Sequence, residues 1–98
     1  MYKSQAAKKL LGQGRKTLLM FHAHWCGNCS ETIPQLHKAS MHLCGVGIYL
    51  VDEEVHGDFA TELNIQALPT LVLFDPAGKE MKRVEGFQDA ETIIQFAS

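Results

Sequence analysis

Ninety-eight residues leave room for one hydrophobic core, so the sequence predicts a single domain over 1–98. Apolar residues make up 46% and charged residues 20%, ordinary globular usage that excludes intrinsic disorder. The net charge of −2 hides a split, because Lys3, Lys8, Lys9, Arg15 and Lys16 all precede the first acid, Glu31. Neither part is charged enough to favour nucleic acid as a partner. Apolar runs such as Leu18-Leu19-Met20-Phe21 fall far short of the roughly 18 residues that cross a bilayer, so no membrane span is expected. Gly12-Gln13-Gly14-Arg15-Lys16 interrupts any signal-peptide hydrophobic region. The expected location is cytoplasmic for the chain as written, and periplasmic or extracytoplasmic for a processed fragment.

Along the chain, Tyr2, Ala6, Ala7, Leu10 and Leu11 recur at helical spacing until Gly12, predicting a short first helix. The apolar run 17–23 is too short for a helix and predicts a buried strand. From Gly27, the residues Cys29, Ile33, Leu36, Ser40 and Leu43 share one helical face that Gly45 ends. Pro34 lies inside that helix, where it removes one backbone hydrogen bond and calls for a packing reason. A strand over 46–51 follows and runs into Asp52-Glu53-Glu54, which predicts a solvated strand end. Asp58 is a candidate cap for a short helix to Leu63. A strand at 71–74, a turn at Pro76-Ala77-Gly78-Lys79 and a strand at 80–85 form a hairpin. Asp89 caps a last helix that buries Ala90, Ile93, Ile94 and Ala97. The order predicts an α/β sandwich, one mixed four-stranded sheet with helices on both sides.

Three cysteines cannot build a disulfide-stapled module, and at most one internal bridge can close. Cys26 and Cys29 form a Cys-x-x-Cys pair where a strand delivers the chain to a helix. A sulfur at that point sits beside unpaired backbone N–H groups and the positive end of the helix dipole, which favour a thiolate, the nucleophile of disulfide exchange. Cys29 lies one turn later on the same face, deeper, and is placed to resolve a mixed disulfide formed by Cys26. Zinc is the competing chemistry, held by both cysteines with His22 or His24. No second paired motif follows Cys44, and a helix-start pair in an α/β pattern favours redox use. A redox-inactive interaction module is disfavoured because both cysteines are intact.

The segment Phe21-His-Ala-His-Trp-Cys-Gly-Asn-Cys29, with Pro34 and Leu68-Pro69-Thr70, resembles thioredoxin from Thr17 onward. The turn at 74–78 and the tail at 86–92 are also similar to the C-terminal domain of bacterial transmembrane thiol:disulfide interchange reductases. The resemblance implies the thioredoxin fold, with an N-terminal helix standing in place of the family's first strand. It implies that Cys26 is the nucleophile and Cys29 the resolving thiol, joined as a Cys26–Cys29 disulfide on oxidation, and that Pro34 kinks the active-site helix. Trp25, Gly27, Asn28, Leu68 and Pro69 would then meet the substrate, Pro69 within a cis-proline loop. The implied activity is thiol–disulfide exchange with protein substrates as a reductase, fed by an upstream electron donor. No cofactor or metal is expected, and the protein should act as a monomer. The glycine pair expected of a glutaredoxin is missing from 71–79, so glutathione dependence is not expected.

Two departures bear on mechanism. Met20 stands where thioredoxins carry a buried aspartate, and the lysine that accompanies it is not evident around Leu50. Alternation along the strand would put Met20, His22 and His24 on one face, which makes His22 the candidate proton acceptor for Cys29. His37, His42 and His56 are expected to face solvent, and Cys44 to pack as a small hydrophobe.

Overall fold

The apolar run that opens the motif becomes strand β1 (Thr17–His22), buried along its length except at His22. Residues flanked by strands on both edges and helices on both faces have no exposed side, which is why the run is nearly unbroken by polar groups. A computed structural model of the chain describes residues 9–98. Within them β1 is followed by α1 (Gly27–Ser40), β2 (Gly47–Asp52), α2 (Gly57–Glu62), β3 (Thr70–Phe74), β4 (Glu80–Glu85) and α3 (Ala90–Ala97). The expected first helix lies mostly outside the described residues. Its last part, Lys9 to Leu11, is turn and bend.

The sheet runs β2-β1-β3-β4, with β1 parallel to β2 and antiparallel to β3, and β3 antiparallel to β4. Alternation along β1 and β3 divides the core in two. Leu18, Met20, Leu71 and Leu73 pack with Leu36 and Ala39 of α1 and Ile93 and Ala97 of α3. Leu19, Phe21, Val72 and Phe74 pack with Phe59 and Ala60 of α2. On this second face the rings of Phe21 and Phe59 meet tilted at 52°, with centroids 5.7 Å apart. The hairpin is closed by Asp75, whose Oδ1 accepts from the N–H groups of Ala77 (3.0 Å) and Lys79 (2.9 Å). Gly78 has φ +92°, and a Cβ there would lie 3.0 Å from the Gly12 nitrogen, so glycine is required both by conformation and by space.

Three expectations change at element ends. Helix α1 stops at Ser40, and in the turn that follows Leu43 is buried, while Cys44, expected to pack as a small hydrophobe, stands exposed. Asp58 does not cap α2: the N–H groups of Val55 and His56 both bond to the Asp52 carbonyl, the chain turns early, and His56 occupies the cap position. Asp58 sits in the first turn and accepts from the Phe59 N–H at 3.0 Å. His56 is accordingly half-buried, with its Nδ1 enclosed and without a hydrogen-bond partner, whereas His37 and His42 are exposed. Helix α1 runs through Pro34, which is exposed rather than buried in the core.

Asp89 caps α3 as expected, its Oδ1 accepting from the Thr92 N–H at 2.9 Å, and Gln35 Oε1 of α1 accepts from the Ala90 N–H. Ile93 is fully buried between α3 and the sheet. Ile93→Ala is expected to lower stability by about 2–5 kcal/mol. The measurement is urea unfolding, with the midpoint lowered and the slope unchanged.

Candidate active site

The turn from β1 into α1 fixes the first sulfur. The Cys26 N–H bonds to the Ala23 carbonyl at 3.1 Å, and Cys26 takes the cap position of α1 in extended conformation. Its own side chain serves as the cap, with Cys26 Sγ accepting from the Cys29 N–H at 3.3 Å. Cys26 Sγ therefore lies at the N-terminus of α1. Cys26 is mostly buried, 9% exposed, whereas Cys44 is open to solvent. Exposure therefore does not single out Cys26 among the thiols; its hydrogen-bond environment does. All three cysteines are free thiols.

Cys29 is 1% exposed and packs in the cluster that contains Met20, Leu36 and Cys26. Burial, followed by the hydrogen bond with Cys26, pushes the Cys29 thiol up to about 11, although a backbone hydrogen bond with Ala23 works in the opposite sense. Met20 is fully buried and offers no proton acceptor. Losing the Cys29 proton at neutral pH therefore requires either a base or a change in surroundings.

The wall opposite the dithiol is the loop before β3. The Leu68–Pro69 peptide is cis, as the resemblance implied. The Leu68 carbonyl lies 3.5 Å from Cys26 Sγ and accepts from its thiol. Two further contacts hold the loop: the Pro69 carbonyl accepts from the Gly86 N–H at 2.8 Å, and Thr70 Oγ1 donates to the Ala67 carbonyl at 2.6 Å. Pro69 is buried and Leu68 half-buried. Trp25 is 63% exposed beside the motif, and Gly27 and Asn28 are exposed in the first turn of α1.

The histidines separate. His22 ends β1, half-buried, and alternation puts it on the sheet face of Met20. His24 does not share that face, because the strand has ended and the chain is turning toward Cys26. It points outward instead, its Nδ1 2.8 Å from Glu54 Oε1. Among the described residues no group of three or more His, Cys, Asp or Glu is placed to hold a metal ion.

Of the acidic segment expected to be a solvated strand end, Glu54 is exposed and Asp52 and Glu53 are half-buried. The Glu53 N–H bonds to the His22 carbonyl at 2.8 Å, and Glu53 joins Trp25, Ile65, Gln66, Ala67 and Leu68 in lining a cavity of about 290 Å³. Sequence reasoning missed Glu53 and the 65–67 segment. The available signal was the parallel pairing of β1 with β2, whose register sets His22 against Asp52 and so brings the residues after both strands to one edge.

Comparison with known proteins agrees with this geometry. The thioredoxin family profile matches residues 2–98. A thioredoxin-like protein of Synechocystis is 38% identical over 90 residues, which span 91% of this chain and 85% of the relative. Thioredoxin of Mycoplasma pneumoniae is 34% identical over 90 residues, spanning 92% and 87%. The crystal structure of Fasciola hepatica thioredoxin superposes with a TM-score of 0.85 at 25% identity, covering 97% of this chain and 94% of that one. With the helix-capping Cys26, the buried Cys29 and the cis-proline loop facing them, the chain belongs to the thioredoxin family.

Proposed function

We propose that this protein is a thiol–disulfide oxidoreductase that reduces protein disulfides through Cys26 and Cys29. The observation that carries the proposal is the position of Cys26 Sγ, 3.3 Å from the Cys29 N–H and 3.5 Å from the Leu68 carbonyl of the cis-proline loop. As a thiolate, Cys26 attacks one sulfur of a substrate disulfide, forming a mixed disulfide as the substrate's other sulfur leaves and takes up a proton. Cys29 then gives up its proton and attacks Cys26 Sγ, releasing the second substrate sulfur as a thiol and leaving a Cys26–Cys29 disulfide. Two electrons have passed to the substrate, and an upstream dithiol donor restores the reduced pair. Trp25, Gly27 and Asn28 on one side, and Leu68 and Pro69 on the other, frame the approach of the substrate chain.

His22 is the residue we assign as proton acceptor for Cys29, because Met20 supplies none and His22 follows it on the same sheet face.

Cys26→Ser is expected to abolish reduction of a protein disulfide, and Cys29→Ser to trap substrate on Cys26 as a mixed disulfide, found by non-reducing electrophoresis and mass spectrometry. Failure to trap, together with stoichiometric zinc binding by the reduced protein, would favour the metal-holding alternative.

His22→Ala is expected to slow exchange by about 10²-fold near neutral pH, the lower end of what a placed base contributes. Because the Cys29 thiol stands at about 11, the deficit should narrow as pH rises toward that value and Cys29 ionises unaided. A pH–rate profile that overlays wild type from neutral pH upward would remove His22 from the mechanism.

A further inference from the structure

The cavity beside the dithiol lies between Trp25, which immediately precedes Cys26, and Leu68, whose carbonyl meets Cys26 Sγ. The cavity thus adjoins residues on both sides of Cys26 Sγ and is open to a side chain that neighbours a sulfur presented there. Most of the lining is apolar: the indole of Trp25, then Ile65, Ala67 and Leu68. Gln66 is polar, but its side-chain amide already donates to Asn64 Oδ1 at 3.1 Å. The single formal charge in the lining is the carboxylate of Glu53.

The charges around Glu53 leave it available. Glu54 is taken up by His24 at 2.8 Å, and Asp52 Oδ1 accepts from the Glu54 N–H at 2.8 Å. No lysine or arginine lines the cavity, and none is placed against Glu53 among the described residues. An apolar occupant would cover this half-buried carboxylate without giving it a partner, which is unfavourable, and an acidic occupant would oppose it directly. An arginine or lysine satisfies both parts of the lining, its aliphatic stem lying on Ile65, Leu68 and the Trp25 ring and its cation meeting Glu53. Arginine suits the site better, since its planar group stacks on an indole and pairs with a carboxylate through two parallel hydrogen bonds.

We propose that Glu53 selects protein disulfides in which a basic residue, arginine foremost, flanks the cysteine attacked by Cys26. This rests on the oxidoreductase assignment above and names the substrate class that the same site prefers.

The test uses three disulfide-linked peptides that differ only at the residue flanking the cysteine, which is Arg, Leu or Glu. The reduced protein is the reductant, and each rate is divided by that with dithiothreitol to remove the peptide's intrinsic reactivity. Wild type is expected to reduce the Arg peptide about 10-fold faster than the Glu peptide, with the Leu peptide between them. That ratio should fall to within about twofold in Glu53→Gln, invert in Glu53→Lys, and shrink at about 1 M salt. Because the readout is a ratio within each variant, a general loss of stability or activity does not produce it. Equal rates in wild type, a ratio unchanged by Glu53→Gln, or a Leu peptide reduced faster than the Arg peptide would each overturn the proposal. Failure of the wild type to reduce even the Leu peptide would instead overturn the oxidoreductase assignment, and this proposal with it.

Discussion

Everything at the site depends on one sulfur serving as a helix cap. Cys26 takes the position that a serine, threonine or aspartate ordinarily fills, and its Sγ accepts the backbone N–H that would otherwise be left without a partner at the start of α1. That contact fixes the side-chain direction of Cys26 and places its sulfur in the field of the helix terminus. It also fixes the distance to Cys29, one turn along. The strand before the cap is bonded on both edges, to β2 and to β3, so the point at which the chain leaves the sheet is rigidly set. The facing wall is equally constrained, since the Pro69 carbonyl is held by Gly86 at the end of β4.

The second thiol is governed by the opposite condition. Both sulfurs belong to one core cluster, but Cys26 Sγ also meets the Cys29 N–H and the Leu68 carbonyl, whereas Cys29 is the more deeply buried and its thiol is pushed up to about 11. The two cysteines are thus chemically unequal before any substrate arrives. One sulfur caps a helix; the other is buried, with its thiol pushed up. Met20 is fully buried in that core and offers no proton acceptor, and His22 lies at the end of the same strand.

Local signals carried most of this in the sequence. The apolar run of β1, the Asp89 cap and the hairpin turn around Asp75 each depend on residues within a few positions of one another, and each is where the pattern puts it. The Cys-x-x-Cys pair was legible for the same reason. Features set by contacts distant in sequence were not. His24 pairs with Glu54 across the end of the sheet, and Glu53 reaches the cavity beside Trp25, because parallel pairing aligns β1 with β2. Cys44, expected to pack as a small hydrophobe, is exposed because the helix ends at Ser40 and the chain turns outward there, an end that the periodic pattern does not mark. His56 is half-buried where the chain turns back onto the Asp52 carbonyl, a turn that leaves no mark in periodicity.

The most direct test of the central claim, that Cys26 and Cys29 form a reducing dithiol, is the redox potential of that pair. It is measured by equilibrating the protein with defined thiol–disulfide buffers and quantifying the Cys26–Cys29 disulfide by mass spectrometry. The account predicts a single two-electron transition, with Cys44 remaining free, at a potential nearer the reducing value of about −270 mV than the oxidising value of about −120 mV. A potential at the oxidising end would contradict the reductase assignment, and the absence of a Cys26–Cys29 disulfide under oxidising buffer would contradict the dithiol mechanism itself.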